Sequence, residues 1–388
     1  MIVTIIILLV VLSLVIFVHE LGHFVTARKM GIGVEEFGFG YPPRMIGLQR
    51  RTNSKKFNII FGKIKDKENK NIIYSINWIP FGGFVKIKGE QGENLTDKDS
   101  FATKKIWKRA TVLSAGVAMN IIFAMILLTI GFFIGLPTAI DNNASPLAKI
   151  KNHNIQIAQI QENSPAKNSD LQVGDIIEKI NGLPVTNIQN FQNSTQPALN
   201  KEISIEVKRG NEILQKTITP IDLDNNGKGK IGTWLVETGL VSYPWYYAIW
   251  MGVKTTLSIT WQIVVAFYEL FKNLIVQQQL SADVAGPVGI AILTGKVAKL
   301  GFIYLLQFTA ILSINLAILN YIPFPALDGG RVLFLVIEKF RGRPVNQRIE
   351  ATIHSVGFML LMGLVLFITF KDLTRFSSNI SSFFSNLF

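Results

Sequence analysis

The sequence predicts a polytopic α-helical membrane protein of about four spans, with a compact α+β domain inserted between the second and the third. Three observations carry this. Four uncharged stretches approach or exceed the ~20 residues that a spanning helix needs. The chain is 49% hydrophobic over 388 residues, with a mean hydropathy of +0.34, more apolar than a soluble domain of that length. Its charge is also segregated. Between Phe24 and Arg109 there are 18 Lys and Arg against 8 Asp and Glu, whereas Pro137 to Ser242 has 10 against 11. An excess of lysine and arginine confined to particular loops is what the positive-inside rule produces, so the net charge of +13 reads as topology. No nucleic-acid-binding motif accompanies it, and nucleic acid is excluded as a partner.

In chain order, Ile2 to Val18 is the first apolar stretch. It lacks a basic leader and a small-residue cleavage site, so it is expected to be a retained helix, within a first element of residues 1–30. A basic segment, 31–109, follows. The second span is Ala110 to Leu136, and 137–242 is a separate domain. Trp245 to Leu274 is rich in aromatics but interrupted by Lys254, Glu269 and Lys272. Residues 243–300 are therefore expected to lie as an amphipathic region at the membrane interface. Gly301 to Leu327 is the third span within 301–330, and residues 331–350 are again basic. The fourth span lies between Glu350 and Lys371, and 372–388 form a tail. With four spans both termini share a side. The two basic segments then fall in the cytoplasm, and 137–242 falls outside.

The inserted domain alternates like a strand at Ile155 to Ile160. Ser164-Pro165-Ala166 starts a short helix, and Leu171 to Ile177 turns back into a strand. Asn181-Gly182 is a hairpin turn, and Ile203 to Val207 pairs with Ile213 to Ile218 across Arg209-Gly210. This order, with Ser-Pro-Ala and Leu-x-x-Gly-Asp-x-Ile as landmarks, resembles a PDZ domain. Such domains take peptide ends by strand addition.

The chemistry lies elsewhere. With no cysteine in the chain, disulfides, thiol nucleophiles and thiolate metal sites are excluded. Two of the four histidines stand in His19-Glu20-Leu21-Gly22-His23 at the end of the first apolar stretch. Positions i and i+4 share a helix face, so His19 and His23 can present two imidazoles to one metal, with Glu20 beside them as a proton acceptor. Ionisable groups in an apolar helix cost about 2–3 kcal/mol or more, which favours function over packing. Catalytic zinc needs a third protein ligand. The extended motif would put a histidine where Lys29 stands, and this excludes it. Glu35 and Glu36 lie in a loop beyond the helix. Asp328 is the better candidate, in Pro323-Phe324-Pro325-Ala326-Leu327-Asp328-Gly329-Gly330, where two prolines break the helix and two glycines let the backbone turn. The alternative is that Asp328 merely caps a following helix from Arg331 to Phe340. His153 reads as a surface residue and His354 as a helix residue near the membrane boundary.

With His-Glu-Leu-Gly-His on the first span and Leu327-Asp328-Gly329 after the third, the chain resembles the site-2 protease family of intramembrane metalloproteases. Also matching are Gly38-Phe39-Gly40, Ile79 to Lys86, Ala115-Gly116 with Asn120, Gly286 to Ile290, and Asn315 with Asn320. The resemblance covers most of the chain. It implies Zn2+ on His19, His23 and Asp328, Glu20 as catalytic base, and Asn315 and Asn320 in substrate positioning. It further implies a membrane-associated β-rich loop at Arg44 to Lys88 and a place in the bacterial inner membrane. The implied partners are single-span membrane proteins, such as anti-sigma factors or remnant signal peptides, together with the lipid bilayer and a peptide C-terminus at the PDZ-like domain. The chain departs from the pattern in having Val117 where many relatives have proline, and in showing one PDZ-like domain where others have two. Two other classes of function are a membrane-anchored PDZ adaptor with an inactive core and a zinc transporter. Intact His, Glu and Asp weigh against the first. The absence of carboxylates from the second and fourth spans weighs against the other.

Overall fold

The computed structural model describes residues 2–51, 56–62, 71–90, 96–140, 145–210, 212–224, 226–276 and 286–375. Residues 277–285 of the expected interfacial region and 376–388 of the tail lie outside the described residues. The chain divides into two compact units, residues 1–128 with 253–388, and residues 129–252.

Four of the described helices are long and apolar enough to cross a membrane. They are α1 (Ile2–Lys29), α2 (Ile106–Ile134), and two that are numbered below in chain order. Between α1 and α2 lies a three-stranded sheet of β1 (Val34–Arg50), β2 (Phe57–Phe61) and β3 (Ile73–Ile87), in the order β2-β1-β3. The first half of β1 lies against both halves of β3. Phe37 is in register with Val85 and with Tyr74, and Gly38 with Phe84 and with Ser75. Gly38 permits that crowding, since a Cβ there would meet Ser75 Oγ at 2.4 Å. Phe37 stacks on Phe24 with ring centroids 4.5 Å apart and meets Phe17 at 5.4 Å, fastening the sheet to α1. The β3 strand then runs along α1. The Gly82 N–H donates to Ser13 Oγ, Gly83 packs over Phe17, and the Val85 backbone faces the Glu20 carboxylate.

The second unit holds a sheet of β4 (Leu136–Ala139), β5 (Lys149–Ile160), β6 (Ile176–Ile180), β7 (Leu183–Pro184), β8 (Ile203–Arg209), β9 (Glu212–Ile218) and β10 (Thr233–Ser242). Its order is β4-β10-β5-β6-β8-β9, with β7 paired to β6. Two short helices accompany it, α3 (Pro165–Asn168) and α4 (Ile188–Thr195). Ile203, Ile205 and Val207 alternate inward on β8 and meet Ile155, Ile157, Ile177 and Phe191 in one core. The expected strand from Leu171 begins only at Ile176. Leu171 to Asp175 form a turn, because the buried Asp175 carboxylate accepts from the Gln172 N–H at 2.9 Å and from Arg209 Nε at 2.8 Å. The Asn181-Gly182 hairpin forms with both residues at positive φ. A cleft of about 410 Å³ lies between α4 and the start of β10, lined by Ile188, Phe191, Gly232, Trp234 and Leu235.

The chain continues through α5 (Trp245–Val276), which is not among the four candidate spans, and α6 (Pro287–Leu300). α6 is a separate helix within the 243–300 region expected at the interface. Its Gly295 packs on Thr4 of α1, and Asp372 Oδ2 accepts from its Gly289 N–H at 2.8 Å. α7 (Phe302–Tyr321) stops six residues short of Leu327, where Pro323 and Pro325 follow. α8 (Asp328–Arg341) and α9 (Gln347–Arg375) complete the fold. The third and fourth candidate spans are α7 and α9.

Candidate metal centre

His19, Glu20 and His23 lie in the second half of α1, where the four-residue spacing puts both imidazoles on one face. Both histidines are buried. Asp328 reaches them because of how the chain turns between α7 and α8. A Cβ on Gly329 would sit 2.3 Å from the carbonyl oxygens of Tyr321 and Ile322, and one on Gly330 would sit 2.3 Å from that of Phe324. Only glycine allows the start of α8 to fold back so tightly on the end of α7. Ala326 takes a positive φ of 79° within the turn. Its N–H donates to His354 Nδ1 of α9 at 2.8 Å, and Gly357 on the same helix packs against Pro325. Farther along α8, Arg331 pairs with Glu90, and Glu338 pairs with Arg109 of α2 at 2.5 Å. Asp328 does not cap that helix. The cap position is Leu327, with no side-chain cap bond, and the Asp328 carboxylate turns instead toward the histidines.

The three donors converge. His19 Nε2 stands 2.9 Å from Asp328 Oδ2, His23 Nε2 stands 3.3 Å from the same oxygen, and the two Nε2 atoms are 3.1 Å apart. It is the one such cluster of His, Asp and Glu among the described residues. Tetrahedral zinc with bonds of about 2.0–2.1 Å places its ligand atoms about 3.4 Å apart, so the donor set fits that ion in type and spacing. A second observation points the same way. A Cβ on Gly116 of α2 would lie 2.4 Å from His23 Nε2 and 2.6 Å from His19 Nε2. The glycine keeps space open in front of both lone pairs.

Gly116 also gives a direct prediction. Alanine favours the helix by about 1 kcal/mol over glycine, so the backbone would gain. The methyl group would nonetheless crowd both nitrogens, and overpacking of this kind costs about 1–3 kcal/mol. Expressed in metal binding, Gly116→Ala is expected to weaken zinc retention about 5–150-fold. Titrating purified variant and wild type against a zinc chelator measures this. Equal retention would mean that the glycine serves helix packing alone.

The α2 helix supplies more than Gly116. His23 Nδ1 donates to the Val112 carbonyl at 2.8 Å, and the Asn120 side-chain amide lies 3.4 Å from His19 Nδ1. Val112, Gly116 and Asn120 follow one another at four-residue steps, a single stripe facing α1. Sequence similarity marks Gly116 and Asn120 without a role, and Val112 carries no chemical signature. The i, i+4, i+8 spacing was the available signal. Asn315, on α7, donates from Nδ2 to its own helix at Ile311 O, 3.1 Å away. Asn320 lies on the last turn of α7, eight residues before Asp328. His354 lies outside the donor set and supports the turn that presents Asp328, a contact its position in sequence did not reveal. His153 lies on β5 and pairs with Glu237 at 3.0 Å.

The model of peptidase family M50 matches residues 7–62 and 49–364. A protein of Clostridium perfringens named "Putative zinc metalloprotease CPE1693" is 35% identical over 362 residues, covering 93% of this chain and 96% of that one. The regulator of sigma-W protease RasP of Bacillus subtilis is 27% identical, covering 96% and 98%. The regulator of sigma-E protease RseP of Escherichia coli is 28% identical, covering 94% and 98%. Among solved structures, the PDZ domain of an SdrC-like protein from Listeria monocytogenes is 24% identical, with a TM-score of 0.21, covering 22% of this chain and 92% of that one.

Proposed function

The chain belongs to peptidase family M50 and is an intramembrane zinc metalloprotease, and we propose that His19, His23 and Asp328 hold its zinc while Glu20 is its catalytic base. One observation carries the assignment. Two histidines of α1 and the first residue of α8 bring three ligand atoms within 3.3 Å of one another, and Glu20 is the next residue after the first of them.

Zinc held there would polarise the scissile carbonyl and make bound water acidic enough to attack at neutral pH. Glu20 takes a proton from the attacking water and returns it to the leaving amine nitrogen. The Val85 backbone faces the Glu20 carboxylate. That proximity also suggests the place of the substrate. Among the described strands β3 lies at the edge of its sheet, and it passes along α1 from Ser13 to Glu20. A spanning substrate helix hides its peptide bonds in internal hydrogen bonds. Unwound and added to the β3 edge, it would keep its backbone groups satisfied while offering a carbonyl beside Glu20. Asn315 and Asn320, on the helix that leads to Asp328, are assigned to holding that unwound segment.

The substrates are single-span membrane proteins, with anti-sigma factors or remnant signal peptides as the expected class. The sigma-regulating relatives and the apolar site support this. Charge segregation supports an inner-membrane protein whose metal centre opens toward the cytoplasm and whose residues 137–242 lie outside. Those residues form a PDZ-like domain. Among the described residues, β4 pairs with β10 at Thr238–Val241 and no strand pairs with that edge at Thr233–Val236, where an extended peptide would add beside α4.

Purified protein in proteoliposomes with a tagged single-span substrate tests the reading. Cleavage is expected to disappear on treatment with a zinc chelator and to return with added zinc. Mass spectrometry of the products is expected to place the cut within the apolar segment. A cut outside that segment, or cleavage that persists without metal, would refute it.

A further inference from the structure

Asn120 is a fully buried amide in the apolar middle of α2. An unsatisfied polar atom in such a place is costly, and its Oδ1 has no hydrogen-bond partner among the described residues. The backbone around it is not slack. Ser313 of α7 donates to the Asn120 carbonyl at 2.8 Å, fixing this turn of α2 against α7. The side chain is directed at one group, His19 Nδ1, 3.4 Å away.

The protonation of His19 decides what that contact is. If Nε2 gives its lone pair to the metal, as proposed above, then the ring proton sits on Nδ1. An Nδ1–H facing an amide NH2 is a contact between two donors. Turning the amide by 180° exchanges its oxygen and nitrogen with almost no change of shape, and the Nδ1–H then meets an acceptor. His23 already shows the same pattern, with Nδ1 directed at the Val112 carbonyl at 2.8 Å. We infer that Asn120 is a positioning residue for the metal centre. Its Oδ1 accepts from His19 Nδ1–H, holds the ring in the tautomer that frees Nε2, and fixes the ring plane. One helix would thereby orient both imidazoles, one through a backbone carbonyl and the other through a side chain, with Gly116 between them leaving room for the ion.

The inference rests on His19 being a zinc ligand, and the experiment separates the two claims. Full-length protein in detergent is loaded with zinc and titrated with a competing chelator, for wild type, Asn120→Leu, Asn120→Ala, Asn120→Asp and His19→Ala. Partners of metal-bound histidine typically contribute 10–100-fold to metal affinity, and that loss is expected for the leucine and alanine variants. Asn120→Asp keeps an acceptor and is expected to hold zinc at least as tightly as wild type. A packing role predicts the opposite order, because leucine suits an apolar helix and a buried aspartate does not. Thermal unfolding of the metal-free proteins is read alongside, and Asn120→Leu is expected to melt no lower than wild type. Zinc affinity unchanged in both leucine and alanine variants would overturn the inference, as would an aspartate variant as weak as they are. If His19→Ala keeps wild-type affinity, the ligand assignment itself fails and the inference falls with it.

Discussion

Replacing Glu20 with glutamine is expected to lower cleavage of a spanning substrate by about 10²–10⁴-fold while leaving zinc content unchanged. The substitution keeps the size and shape of the side chain. What is lost is the ability to take a proton. Glu20 is not one of the three converging donors, so the metal has no reason to leave. A purely structural Glu20, present to orient the β3 edge, predicts near-normal turnover for the glutamine variant. Measuring product formation and bound zinc on the same preparation separates the two roles. Turnover within a few-fold of wild type would exclude Glu20 as the base.

Some of this was legible in residues alone, and the reason differs by element. The candidate spans are read from runs of uncharged residues, because a bilayer imposes length and apolarity on a local stretch. His19 and His23 are read from spacing, because four residues on a helix is a geometric statement. Asp328 needed more. Its sequence showed a broken helix and an aspartate, but its approach to α1 depends on close backbone contacts at Gly329 and Gly330, on His354 holding Ala326, and on ion pairs along α8. Those contacts join residues far apart in the chain, and no local pattern encodes them. The contributions of α2 were hidden for another reason. Val112 acts through its backbone carbonyl and Gly116 through having no side chain, so neither has a chemical signature. α6 was missed because its apolar face is short and its neighbours, Thr4 and Asp372, are nearly the whole chain apart.

Asp328→Asn carries the second large effect, and the competing explanation for that residue can be sized. Asp328 is the first residue of α8, where a carboxylate gains about 0.3–1 kcal/mol from the helix dipole. Were that its whole role, asparagine would cost at most a few-fold in folding equilibrium and nothing in metal binding. As a ligand it contributes the only negative charge among the three donors, with its oxygen 2.9 and 3.3 Å from the two imidazole nitrogens. Its loss is expected to exceed the 10–100-fold penalty typical of residues that only support a ligand. Purified Asp328→Asn should therefore carry little zinc and show no cleavage, with the helix content of wild type. Paired with Glu20→Gln, the result is diagnostic: one variant keeps zinc without turnover and the other loses both. An Asp328→Asn protein that retains wild-type zinc would reduce the site to two histidines and leave the Gly329-Gly330 fold-back without the function assigned to it.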